Sequence, residues 1–342
     1  MGTHTRLEKL LNFSTDEILR NQYVDTNGFL RLGLVLEDVD LLCGNTAMRY
    51  LETLGEDKTK VVTVSIDRLD LMKQIPGDKD LHFVSTVNGV GKYSMETGIE
   101  LFSGEEDNLE KVLSGYLYFV GLTNDLKEKK SLPKLHNPDS KILEPALARM
   151  VAIKERIKHK PFQEQLTSEE QDHMARLILT YQESPEQFTR IEDTTITNTH
   201  QMFPQDKNIH NIVFGGRVVR LAYESAWQTA MPYVETAPLP VCVDRVDFNK
   251  PLSLGDIVKF TSMVTHIGET SLNVQVEIDK LDPSTRKSIY TTNICRFTFV
   301  SVNNQLEPQT VPKKIFPSET MNLMDYFISR RNYFETKERL SH

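Results

Sequence analysis

Cysteine is scarce in this chain, and its arrangement excludes more than it suggests. Cys43, Cys242 and Cys295 form no Cys-x-x-Cys pair and have no histidines at zinc-like spacing. A structural zinc site and a disulfide framework are therefore not indicated, and buried, reduced thiols are expected. No apolar run approaches the ~20 residues that would span a bilayer. Excess positive charge is missing too: the net charge is −8, which argues against a nucleic-acid binder held by phosphate contacts. The first residues mix Arg6, Lys9 and Arg20 with Glu8, Asp16 and Glu17, unlike a secretory signal or an acid-poor transit peptide. Arg6 stands where N-myristoylation requires Ser or Thr. There is no Gly-x-Ser-x-Gly elbow for an α/β-hydrolase and no P-loop. Gly89-Val90-Gly91 lacks the third glycine of a dinucleotide fingerprint. No cofactor or metal is called for.

What is present is a repeat. Asp67-Arg68-Leu69-Asp70-Leu71 returns 177 positions later as Asp244-Arg245-Val246-Asp247-Phe248. The same register carries Gly91 onto Gly268, Ser94 onto Ser271 and Glu100 onto Glu277. Upstream the spacing is 183, Ala47-Met48 matching Ala230-Met231 and Gly33 matching Gly216. Downstream it is 180, Leu117 and Phe119 matching Phe297 and Phe299. Small changes of spacing are loop-length differences, which surfaces tolerate. A duplicated fold is expected, in line with a length that suits two domains.

Each copy opens with a helix, around 33–50 and 216–233, and Pro232 marks the end of the second. Strands follow at Val62–Leu69, Leu81–Val90, Tyr93–Phe102 and Val112–Leu122. In the second copy they are expected at Val241–Phe248, Ile257–Ile267, Thr270–Leu281 and Tyr290–Val302. One helix followed by about four antiparallel strands is an α+β pattern, and a curled sheet could wrap the helix. The expected organisation is a first domain at 1–125, a charged and partly helical linker at 126–187, a second domain at 188–305, and a Pro-rich, basic tail at 306–342 without assigned structure. Within the linker, Thr167-Ser168-Glu169-Glu170 reads as a capping box opening a helix toward Tyr181.

The stretch richest in chemistry runs from Asp206 to Gly216, DKNIHNIVFGG, at the opening of the second helix. Consecutive glycines permit close approach of another chain segment. First-turn amides point outward without intrahelical acceptors and can hold an oxyanion. Taken alone, Gly-Gly before a helix is a weak signal that reads first as simple close packing.

The run from Asn208 to Trp227 resembles the hotdog acyl-CoA thioesterases, in particular their mitochondrial-type double-hotdog branch. The matching residues are Asp206, Asn208, Phe214, Gly215 and Gly216; Leu32–Asp40 and the hairpin at 87–102 resemble the first copy of that branch. Asn211 departs from the glycine usual there. The resemblance covers about residues 20–305. It implies two fused hotdog domains forming a pseudo-dimer, their sheets joined and their helices facing each other. It also implies hydrolysis of acyl-CoA to fatty acid and CoA, and homo-oligomers of such units in mitochondria, with the cytoplasm as the other compartment.

The resemblance also implies a division of labour. Asn208 would position water or thioester, and the general base would lie seven residues after the second glycine. That position is Tyr223 in the second copy and Asp40 in the first; the asparagine position of the first copy holds Asp25. One complete site from Asp40 and Asn208 is expected, with a degenerate one from Asp25 and Tyr223. Phe214, Gly215 and Gly216 would bind substrate and oxyanion, and the acyl chain would run along Leu36, Val39, Val219 and Ala222. Asp40 follows Glu37 and Asp38, so by itself it also reads as one acid on a solvated helix face. Glu224 is the fallback base. His210 reads as structural rather than catalytic. Arg68 and Lys92 are candidates for CoA phosphates, although solvated surface charge explains both. The rival readings are a non-catalytic acyl-CoA or lipid-binding module and a hotdog hydratase or dehydratase.

Overall fold

The computed structural model describes residues 5–56, 58–105, 108–136, 138–158, 166–208, 212–318 and 320–340. In chain order the elements are β1 (Arg6–Leu11), α1 (Glu17–Tyr23), α2 (Leu32–Thr53), β2 (Lys60–Leu71), β3 (Leu81–Val90), β4 (Ser94–Ser103) and β5 (Glu110–Leu122). Then come α3 (Ser140–Lys158), α4 (Ser168–Glu183), β6 (Phe188–Arg190), β7 (Ile196–Gln201) and α5 (Gly215–Ala230). The chain closes with β8 (Leu239–Val243), β9 (Val246–Asp247), β10 (Ile257–Ile267), β11 (Ser271–Leu281), β12 (Ser288–Val300), β13 (Lys314–Phe316) and α6 (Thr320–Leu340). These fall into two compact units. The first takes residues 1–158 with 214–220 and 245–249; the second takes 159–213, 221–244 and 250–342.

In the first unit the strands pair antiparallel in the order β1-β3-β4-β5-β2-β9. Helix α2 buries Val35, Leu36, Val39, Leu42, Cys43, Ala47 and Leu51, a spacing of three and four that lays one stripe along the sheet. Each valine or leucine among them contributes roughly 1.5–3 kcal/mol when fully buried. Ser85 on β3 meets Cys43 of α2, so this face of the sheet looks toward α2. Successive side chains on a strand alternate, and the opposite face is covered by α3. There Arg149 forks onto the fully buried Glu96 of β4 at 2.6 and 3.0 Å. The Tyr118 hydroxyl donates to the same carboxylate at 2.6 Å.

The second unit repeats this sandwich with the strand order β8-β12-β11-β10-β7, and β6 and β13 form a small parallel pair. Residues 221–230 of α5 lie on one face, where Asn198 of β7 donates to Ser225 and Thr229 donates to Ser262 of β10. Helix α6 lies on the other face, through Thr265 with Ser329 and Arg296 with Asp325. Helix α4 carries the anticipated capping box and is tied to α6 by Arg331 on Glu170 at 2.7 and 2.9 Å.

The chain past residue 306 is therefore not the structureless tail that its composition suggests. Leu126 and Leu306 both adopt left-handed backbone, with φ 62° and 63°. Each closes a turn onto a residue three positions earlier, Thr123 and Asn303. The 180-residue spacing of the repeat then carries Ser140, the start of α3, onto Thr320, the start of α6. Helix α6 is the second copy's counterpart of α3. Its composition hides this because many of the side chains it buries or half-buries are polar, among them Asn322, Asp325, Ser329 and Arg331. All three cysteines are buried thiols that form no disulfide. Among the described residues, no helix is long and apolar enough to cross a membrane.

Candidate active site

The opening of α5 belongs to the first unit, and it is there that Asp40 is found. The Gly216 N–H donates to Asp40 Oδ2 at 2.7 Å, and the Thr63 hydroxyl of β2 donates to Asp40 Oδ1 at 2.8 Å. Asp40 is only 2% exposed, so the solvated-face reading of this acid does not hold. The glycines explain the approach. A Cβ on Gly215 would stand 3.2 Å from Asp40 Oδ2 and 3.1 Å from the Phe248 ring; one on Gly216 would stand 3.1 Å from Asp40 Cβ and 2.9 Å from the Phe214 ring. The close approach expected of this glycine pair is made by the Asp40 side chain and by the Phe214 and Phe248 rings.

Two influences act on the acid in opposite senses. Burial disfavours its charged form and raises its pKa from 3.8 to about 6. The Thr63 and Gly216 hydrogen bonds stabilise the anion and pull the value down, while nearby Glu37 pushes it up. Burial wins because the carboxylate has exchanged water for two donors. The result is an acid poised near neutrality and able to exchange a proton under physiological conditions.

The neighbouring acids are occupied otherwise. Asp38 accepts from Lys9 Nζ at 2.6 Å and from the Tyr23 hydroxyl at 2.7 Å. Glu37 meets Arg220 of α5 at 3.0 Å. Asp25 caps its own loop, accepting from the backbone N–H groups of Asn27 and Phe29 at 2.8 and 3.0 Å.

Asn208 lies in the second unit, in the loop that leads into α5. Its Oδ1 accepts from the Ile212 N–H at 3.3 Å, and its own N–H donates to the Ile212 carbonyl at 2.8 Å. Upstream, Asp206 closes its turn by accepting from the Phe203 N–H at 2.8 Å. Tyr223 is buried in the second unit, with ring centroids 5.7 Å from Phe297 and 6.0 Å from Phe299. Glu224, the fallback base, is half-buried beside it. Arg68 pairs with Asp70 at 2.6 Å, and Lys92 is exposed above the Tyr93 ring at 5.0 Å. His210 and Asn211 lie outside the described residues. Leu36, Val39, Val219 and Ala222 are all buried.

The comparisons with known proteins agree with this picture. The description of the thioesterase superfamily matches residues 210–286, the segment that opens α5 and runs into β11 and its following turn. Acyl-coenzyme A thioesterase 9, mitochondrial, of Mus musculus is 29% identical over 96% of this chain and 76% of its own length. Residues 210–286 thus match the thioesterase superfamily, and the likeness to a thioesterase extends along nearly the whole chain. Acyl-coenzyme A thioesterase 2, chloroplastic, of Humulus lupulus is 28% identical over 87% of this chain and 72% of its own. A solved structure described as an oleoyl thioesterase from Lactobacillus plantarum covers 88% of this chain and 98% of its own, with a TM-score of 0.56 at 10% identity. That last likeness is one of fold, the hotdog helix-in-sheet arrangement.

One residue that touches Asp40 is not marked in the sequence. Thr63 lies in a run whose alternation points to Val62, Val64 and Ile66 as one face. Strand β2 carries register shifts between Thr63 and Ser65 and between Ile66 and Arg68. Each irregularity changes which side chains look inward, and Thr63 reaches Asp40. The available signal was Pro240 at the corresponding place in the second copy, a proline that cannot supply a hydroxyl.

Proposed function

We propose that the chain hydrolyses acyl-CoA thioesters by direct attack of water, with Asp40 as the general base. The observation that carries this reading is the buried Asp40 carboxylate, held between the Thr63 hydroxyl and the first-turn amide of α5. Asp40 takes a proton from water, whose oxygen attacks the thioester carbonyl carbon. The carbonyl oxygen becomes an oxyanion held by first-turn amides of α5. Since the Gly216 N–H is committed to the base, this role falls to Gly215 and the adjoining backbone. Collapse breaks the carbon–sulfur bond, and the CoA thiolate leaves with the proton that Asp40 carried. Asn208, in the loop feeding the same helix, orients water or thioester, as the family resemblance implies. Ionised Asp40 is the active form, so kcat/KM should rise with pH through about 6 and level off above it.

A mitochondrial location is proposed from the name of the mouse relative, and subcellular fractionation reads it directly. Association of copies, also implied by the resemblance, is measured by light scattering. The activity is tested by release of free thiol from a panel of saturated acyl-CoAs. Wild type is compared with Asp40→Ala, Asn208→Ala and Tyr223→Phe. Loss in the first two and retention in the third supports the assignment. Acyl-CoA binding without thiol release would instead establish the binding module.

A further inference from the structure

Asp40 and Gly216 are not the only residues that join α2 to the opening of α5. Glu37 precedes Asp40 by three residues on α2, and Arg220 follows Gly216 by four on α5, so each pair shares a helix face. Arg220 Nη1 stands 3.0 Å from Glu37 Oε2, with side-chain exposures of 20% and 28%. One turn of α2 and one turn of α5 are thus pinned at two points, the Asp40–Gly216 hydrogen bond and the Glu37–Arg220 ion pair. Positions 37 and 220 also correspond in the repeat, at the same 183-residue spacing that relates Gly33 to Gly216. Had both copies kept one residue there, like charge would face like charge. The ion pair exists only because the copies diverged.

We propose that the Glu37–Arg220 pair is a positioning element for the base: it holds the opening turn of α5 in register with Asp40 and neutralises the carboxylate one turn away from it on α2. The proposal rests on Asp40 acting as the base. The charged and titratable groups on the elements packed around Asp40 include Glu37, Asp38 and Cys43 on α2, Lys60, Asp67, Arg68 and Asp70 on β2, Arg217 and Arg220 on α5, and Asp247 on β9. Asp38 is already matched by Lys9 and Tyr23, and Asp247 accepts from Ser65 at 2.7 Å. Glu37 is the acid whose charge acts on Asp40, and Arg220 is its counter-ion. Without Arg220, the uncompensated Glu37 makes its neighbour a weaker acid, and the helix turn loses the ion pair that helps pin it.

The test is the pH profile of thiol release from acyl-CoA by the full chain, with kcat and KM measured separately. Arg220→Gln should move the acid limb up by about half a pH unit and lower kcat roughly tenfold at little cost in KM. Glu37→Gln should move the limb down. The charge exchange Glu37→Arg with Arg220→Glu should recover most of kcat while moving the limb down, because a cation now lies beside Asp40. A purely structural role would change melting temperature and leave the limb in place, and that result overturns the proposal. Carbon-13 titration of the Asp40 carboxyl in the same variants gives a second reading that needs no turnover. If wild type is inactive but the carboxyl titration shifts as described, the base assignment fails while the electrostatic coupling stands. If neither limb nor titration moves, the coupling fails whatever the activity.

Discussion

Residues 40 and 223 hold the same place in the two repeats, and they have gone opposite ways. In the first copy a carboxylate is buried with a threonine hydroxyl on one oxygen and a helix amide on the other. In the second a tyrosine is buried among Phe297 and Phe299. The surroundings changed with the residue. Thr63 lies opposite Phe119 in its sheet, and Pro240 lies opposite Phe299 in the corresponding sheet. Where the acid is kept its hydroxyl donor is kept; where the acid is lost the donor has become a residue that cannot donate. A buried carboxylate without partners costs several kcal/mol, so acid and donor are retained or discarded together. Fusion of the repeats makes the asymmetry possible, since an assembly of identical copies would carry the same residue at both places.

The largest effect should come from removing the acid itself. Asp40→Ala should lower kcat by roughly 10³-fold, read as thiol release at pH 8; a fall below tenfold would end the comparison, because neither copy would then hold a base. Forcing the second copy toward the first is the next test. Tyr223→Asp places a carboxylate among phenylalanines with proline where threonine is needed. It should destabilise the protein by roughly 3 kcal/mol or more in denaturant unfolding, and tolerance would mean that the second copy still accommodates an acid.

The strain of keeping the acid is measurable too. The folded-state pKa of Asp40, about 6, lies above its ordinary 3.8, so ionisation weakens the folded state. The penalty is absent below about pH 4, where both states are protonated, grows between the two values, and is complete above about pH 6. Asp40→Asn, whose amide can still accept from Gly216 and donate to Thr63, should therefore be more stable than wild type at pH 8, by up to about 3 kcal/mol. The gain should vanish near pH 4 in paired melting curves. Thr63→Val should lower kcat about 10–30-fold and move the acid limb upward, because the lost hydroxyl favoured the ionised form. The smallest effect belongs to Tyr223→Phe, which preserves both ring contacts and should leave kcat within about twofold.

Much of this was legible beforehand. Repeated Asp-Arg segments, helical spacing of Val35, Val39, Leu42 and Ala47, and glycine-flanked alternation announce a duplicated helix-and-sheet unit. Strand β3 falls on the anticipated residues, and β10 likewise. Repeat position and family resemblance single out Asp40, whereas its burial is visible only in the folded structure. Strands β1 and β7 escaped notice because edge strands bury little and keep many polar residues, as in Arg6–Leu11 and Ile196–Gln201.

What the sequence by itself determined is periodicity, repeat and the chemical types available, since local spacing and turn residues dictate which helices and strands can form. What only the tertiary structure decided is partnership. That Thr63 rather than its neighbours faces Asp40, that Gly216 gives its amide to a carboxylate, and that Arg220 finds Glu37 all depend on groups 23, 176 and 183 residues apart in the chain. No local pattern encodes such contacts. They arise when burial of the apolar faces brings distant segments together and polar groups stranded by that burial must find each other.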